Sequence, residues 1–249
     1  MVIDGMRSDE KYTAAVTTFR ERLLASPFRE KVLKIVLFGS RVKGTAQEES
    51  DLDILIVVND GTELRDAIAD LAFDIQMEYR VGIEPLTASV EELFPLRSYF
   101  LFNIMRYGEE VYAVPNETLK EAERRNLINL ADEYLIGAEQ AARNGCWRLA
   151  VDAAYNAAEL AVKSLILKFD DDLPGSHGGL VGRFGELYIK TGVYEKTLGR
   201  ELNQALEKRN QARYRYHAAI THADAESVMK LARMLKDLAE KELSTAQQP

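Results

Sequence analysis

Two apolar runs, VLKIVLF at 32–38 and DLDILIVV at 51–58, enclose a glycine-serine turn and a polar loop. Runs this short, rich in β-branched residues and leucine, predict two strands of one sheet. Gly39-Ser40 stops the first, and Asn59-Asp60-Gly61 closes the second with turn chemistry. The second run carries two carboxylates, Asp51 and Asp53, for which a sheet core has no ordinary use. Side chains two apart on a strand share a face. The pair is therefore expected to project together while Leu52 and Ile54 enter the core.

Neighbouring carboxylates repel each other unless a cation lies between them. Hard divalent cations such as Mg2+ or Mn2+ take oxygen ligands of this kind and share them with substrate phosphates. Gly39-Ser40 offers phosphates a turn without a β-carbon, backbone N–H groups and a hydroxyl. Arg41 and Lys43 follow as candidates to neutralise triphosphate charge, or as solvated loop cations. The combination predicts a metal-nucleotide site. Taken alone, the aspartates would also fit a sheet edge guarded by charge.

The rest of the chain divides in two. A helix is expected over 8–25, where Tyr12, Val16, Phe19 and Leu23 keep helical spacing until Ser26-Pro27. Further helices are expected at about 62–77 and 89–107, with a strand in VGIEPLTAS between them. Pro85 inside that strand predicts an edge position. YGEEVYA ends this part, and Val114-Pro115-Asn116 marks the boundary. Beyond it the pattern is helical throughout, at about 117–143, 146–168, 178–191, 195–213 and 223–243, with Thr221-x-x-Asp224 as a capping box for the last helix. The expected domains are 1–114 and 117–245: an α+β fold with a short mixed sheet and flanking helices, then an all-α helical bundle.

Composition narrows the classes. The 249 residues are 47% hydrophobic and 29% charged, with a net charge of −8, which argues against a broad electrostatic grip on nucleic acid. RNA is therefore a disfavoured partner. No apolar run approaches the ~18 residues that suggest a membrane span, so no membrane partner is expected. The polar start MVIDGMRSDEKY is unlike a targeting peptide, and the lone Cys146 excludes an internal disulfide. A cytoplasmic protein is expected.

Gly-Ser, ten intervening residues and Asp-x-Asp resemble the signature of the DNA polymerase β-like nucleotidyltransferase superfamily in its minimal form. The resemblance implies that Gly39 and Ser40 bind a nucleoside triphosphate, most simply ATP, and that Asp51 and Asp53 hold Mg2+ or Mn2+. A third carboxylate on a later strand serves that family as general base or metal ligand. Glu84 in GIEPL takes its place here, where the usual residue is Asp.

The helical part, over 120–243, resembles the HEPN domain. The features that carry this are Asn144-Gly145 with Ala150, an alanine- and tyrosine-rich helix, a Gly/His loop at 175–179 and LEKRNQARYRYH at 206–217. Catalytic HEPN ribonucleases carry Arg, a polar residue, then His after a short gap, often with a tyrosine two beyond. Arg209 and Asn210 match the start. Tyr214 stands at the histidine position and Tyr216 at the tyrosine position, while His217 lies past the pattern. A tyrosine is a poor proton shuttle near neutral pH, which weakens a ribonuclease role. His177 and His222 are expected to be ordinary loop residues. The alanine stripe Ala150, Ala153, Ala154, Ala157, Ala158 and Ala161 is expected in the core or at the seam of a homodimer.

Both resemblances together imply a transferase with the two-part architecture of kanamycin nucleotidyltransferase. Such an enzyme moves a nucleoside monophosphate to an acceptor hydroxyl, on a small molecule such as an aminoglycoside or on a protein tyrosine. In two-gene toxin–antitoxin systems of this kind the transferase modifies the HEPN tyrosine, which makes Tyr216 or Tyr214 an acceptor candidate here. A HEPN ribonuclease restrained by its transferase part and a non-catalytic nucleotide-binding regulator are the alternatives. No acceptor-recognition motif is present.

Overall fold

The structure is a computed structural model and describes residues 8–47, 50–59 and 64–245. Two compact units divide at Leu119 and Lys120. Asp60 and Gly61 of the expected turn lie outside the described residues.

The first unit holds α1 (Ser8–Ala25), β1 (Val32–Phe38), α2 (Gly39–Val42), β2 (Leu52–Val58), α3 (Leu64–Tyr79), β3 (Ile83–Ser89), α4 (Tyr99–Tyr107) and β4 (Glu109–Ala113). One mixed sheet runs in the order β3-β2-β1-β4, with β2–β3 parallel and the other pairs antiparallel. β2 is central, and Ile54, Leu55, Ile56 and Val57 are fully buried. Each such side chain contributes about 1.5–3 kcal/mol relative to exposure. Leu52, Ile54, Ile56 and Val58 share a core with Phe19 and Leu23 of α1 and Ile68 and Ile75 of α3. Arg22 of α1 also meets Glu78 of α3 at 2.6 Å.

One expectation fails in this unit. The helix expected over 89–107 is α only from Tyr99, with a single 3-10 turn at Val90–Leu93 before it. Pro95 is the cause, because proline has no N–H to continue a helix and its ring disfavours helical geometry in the residue before it. The α-helix restarts where the Ser98 side chain accepts from the Leu101 N–H at 3.3 Å. The unit ends in β4, to which the sequence alone assigns no conformation and which pairs with β1 although EEVYA is short and polar.

The second unit is helical: α6 (Trp147–Leu167), α7 (His177–Phe184) running into a π-helical turn at Gly185–Ile189, α8 (Lys196–Tyr214) and α9 (His222–Thr245). α5 (Asn116–Arg143) begins just before the boundary and supplies the rest of the unit. α6 is the central helix, packed against α7, α8 and α9. Ala150, Ala154, Ala157, Ala158 and Ala161 are fully buried within the protomer. The alanine stripe is therefore bundle core, where small residues let helices approach closely.

The capping box of α9 forms as expected. The Thr221 N–H donates to Asp224 Oδ2 at 2.9 Å, and the Asp224 N–H donates to Thr221 Oγ1 at 3.2 Å.

Candidate active site

β2 begins at Leu52, so Asp51 lies just ahead of the ladder and is exposed, while Asp53 is half-buried. A fully buried pair is thus not what the sheet produces. The register explains how the carboxylates are held. Asp53 is opposite Phe38 on β1 and Glu84 on β3, and Leu52 is opposite Ile83. The Leu52 N–H donates to Gly82 O at 2.8 Å, which extends the pairing to the level of Asp51. A β-carbon at Gly82 would stand 1.7 Å from Asp51 Oδ1, and one at Gly39 would stand 1.8 Å from Asp53 Oδ2. Each carboxylate therefore occupies space that a glycine on a neighbouring segment leaves open. Gly39 also has φ +81°, a conformation that favours glycine.

Burial raises the Asp53 pKa, the negative charge of Asp51 raises it further, and Lys43 opposes both. Two acidic groups in mutual repulsion over a glycine floor fit a hard cation. Glu84 is in register with Asp53, so the two share a sheet face. Glu84 is exposed on the edge strand. Among the described residues no group of three His, Cys, Asp or Glu is placed to hold a metal by itself.

Gly39 and Ser40 open α2, a single helical turn, and lie directly after the strand paired with β2. Lys43 is exposed and close enough for Asp53 to feel its charge. Arg41 faces its own loop. Its Nε and Nη2 donate to Ser50 O at 2.8 and 2.5 Å, and its guanidinium lies 3.0 Å from the centre of the Tyr12 ring. Two cavities flank this turn. One, of about 700 Å³, is lined by Asp53, Arg41, Tyr12, Arg20 and Gln47. The other, of about 680 Å³, has the more apolar walls Phe38, Phe100, Ile104 and Tyr107, with Asn103 and Lys43 beside them.

The residues singled out in the helical unit fall into two groups, Arg209 with Asn210 and Tyr214, and Tyr216 with His217. Arg209 is buried, with Nε 3.2 Å from Asp152 Oδ1 and its guanidinium 6.0 Å from the Tyr155 ring centre. Asn210 accepts from Arg209 Nη1 at 3.3 Å. Tyr214, Tyr216 and His217 are exposed at or beyond the end of α8, and the Tyr216 and His217 rings lie 3.8 Å apart. His177 is no ordinary loop residue: it opens α7, and its Nδ1 pairs with the buried Glu159 of α6. His222 opens α9 and packs edge-on against Trp147 at 4.9 Å.

Sequence reasoning missed Gly82. Its signal was a glycine two residues before the candidate third carboxylate, and it gains meaning only through the β2–β3 register.

Residues 20–107 match the family model of the nucleotidyltransferase domain, and residues 125–243 match that of the HEPN domain. A chain of Methanocaldococcus jannaschii named as a protein adenylyltransferase is 38% identical over 91 residues, which are 36% of this chain and 87% of that one. A second chain of the same organism, named as a toxin, is 31% identical over 131 residues, 53% of this chain and 96% of that one. The chain belongs to the nucleotidyltransferases, and it joins that domain to a HEPN domain.

Gly39, Ser40, Asp51, Asp53 and Glu84 of this nucleotidyltransferase all fall within the first matched span, and Arg209 to His217 within the second. A solved spectinomycin adenyltransferase AAD(9) from Enterococcus faecialis, with ATP and spectinomycin, aligns over 94% of this chain and 100% of its own. Its identity is 13% and its TM-score 0.33, too low for any structural detail to transfer.

Proposed function

We propose that this nucleotidyltransferase moves AMP from ATP to the phenol of Tyr216 in its own HEPN unit. The observation that carries the reading is the display of that side chain. Tyr216 is 83% exposed, more than any other large apolar side chain among the described residues. Tyr214, 67% exposed, has its ring 5.6 Å from the Arg209 guanidinium and 5.9 Å from that of Arg213. The two relatives add support, because 36% of this chain resembles a chain named for protein adenylylation and 53% of it a chain named as a toxin.

In the proposed reaction the Tyr216 oxygen attacks the α-phosphorus of ATP. The new O–P bond forms as the bond from that phosphorus to the bridging oxygen breaks, and pyrophosphate leaves. Glu84 takes the phenol proton. Gly39 and Ser40 hold the triphosphate through backbone N–H groups and the hydroxyl, and Lys43 offsets its charge. The apolar cavity beside Phe38 and Phe100 receives the base. Asp51 and Asp53 would hold Mg2+, which would supply positive charge for phosphoryl transfer.

A free small-molecule hydroxyl is the second reading, favoured by the roomy cavity beside Asp53. Intact mass of the protein made in cells separates the two. A gain of one AMP unit is expected, mapped to Tyr216 and absent from Asp53→Asn and Tyr216→Phe. Wild-type protein that gains no mass even with added ATP and Mg2+ would overturn the Tyr216 reading in favour of a separate acceptor.

A further inference from the structure

α8 ends at Tyr214, and the last carbonyls of a helix have no intrahelical N–H to accept. Here one side chain from a different helix takes up that end. Arg148, half-buried near the start of α6, donates from Nη1 to Ala212 O at 2.7 Å and Gln211 O at 3.3 Å. Its Nη2 donates to Ala218 O at 2.5 Å and to Arg215 O and Tyr216 O at 3.1 Å each. Five carbonyls spread over eight residues thus converge on one guanidinium. Arginine suits the task because its planar fork carries five N–H donors and stays charged.

The convergence fixes the course of the chain after α8. With the carbonyls of Arg215, Tyr216 and Ala218 turned inward to one cation, the Tyr216 side chain is left outward. Neighbouring ion pairs act on side chains: Arg213 meets Asp152 at 3.4 Å, and Arg215 meets Glu207 at 3.6 Å. Arg148 acts on the backbone of the turn itself.

We propose that Arg148 is the positioning residue for the acceptor tyrosine, holding the 215–218 turn so that the Tyr216 phenol is presented in one place. This rests on Tyr216 being the acceptor. A reacting group held in place makes its step effectively unimolecular, and a small misplacement is enough to slow it about a hundredfold.

The test uses the full chain with Arg148→Met and Arg148→Lys, the latter keeping the charge without the fork. Two readouts are taken. Trypsin cleavage after Arg213 and Arg215, mapped by mass spectrometry, reports the turn directly, and it is expected to quicken at least tenfold in both variants. Single-turnover AMP transfer to Tyr216 is expected to slow at least tenfold at saturating ATP, with the ATP concentration for half-maximal rate unchanged. A general loss of structure would instead lower the melting temperature and shift that concentration.

Unchanged cleavage would overturn the clamp, and faster cleavage with a wild-type transfer rate would overturn its positioning role. Wild-type protein without AMP on Tyr216 would end the acceptor reading and this role with it, while the cleavage rates would still report whether Arg148 holds the turn.

Discussion

Gly82 and Asp51 share one volume: a β-carbon on the glycine would stand 1.7 Å from Oδ1 of the aspartate and 2.7 Å from its Cγ. The obstacle is the far end of a flexible side chain, so Gly82→Ala is expected to swing Asp51 aside rather than distort the sheet. Transfer should fall about a hundredfold, the scale of an ångström-level misplacement, while the melting temperature stays within a few degrees. Pyrophosphate release beside thermal melting checks both. A variant that keeps wild-type transfer would show that Asp51 need not lie over Gly82.

Asp53 should make the metal-free protein less stable as pH rises. Its folded pKa is raised by burial and by Asp51, against the pull of Lys43. A group with a raised folded pKa stabilises most below its unfolded value, ordinarily 3.8, and that contribution is lost as pH climbs through the folded value. Asp53→Asn does not titrate. In EDTA the variant is expected to melt above wild type at pH 7, with the gap closing toward pH 3.5. The same variant should have no measurable transfer. Equal melting curves at pH 7 would show that the pair is not repulsive, and transfer within tenfold of wild type would end the two-aspartate mechanism.

Mg2+ and ATP are expected to stabilise jointly. Each binds partly through the other if Asp51 and Asp53 share a cation with the phosphates, and ligands that bind only the native state raise its melting temperature. The shift with both should exceed the sum of the separate shifts, and Asp51→Asn should erase the excess. Simple additivity would instead favour a nucleotide pocket without a shared metal.

The α9 capping box offers a stability test away from the site. Thr221→Ala removes one partner of a reciprocal pair, and Asp224→Asn weakens the other as well as its 2.9 Å bridge to Lys208. Each is expected to cost about 1 kcal/mol, and the double variant less than the sum, because the two residues act on one another. Urea denaturation measures all three. Strict additivity would show that the box does not act as a unit.

Most local signals are legible in the sequence, Pro95 inside the helix expected over 89–107 being the exception, and remote ones are not. α1 was legible because apolar spacing runs unbroken to Ser26-Pro27, and α8 because its pattern stops at Tyr214. The Gly-Ser turn and the two aspartates were legible because strand context and spacing lie within one short stretch. β4 was not, since EEVYA owes its strand conformation to pairing with β1, some seventy residues earlier. Gly82 drew no attention because the constraint on it comes from across the ladder. Arg148 was hidden for the same reason: its five acceptors lie 63 to 70 residues further along the chain.

Pro85 gives the edge of the sheet a property beyond its place beside Glu84. Among the described residues β3 is paired on one side only, with β2, and Pro85 sits opposite Ile54 in that ladder. An edge strand is open to annealing with a stray strand from another molecule, and proline interrupts the row of donors that such annealing requires. The strand that carries Glu84 is thereby a poor template for cross-β growth. High protein concentration is then better tolerated by this rim than by an uninterrupted one.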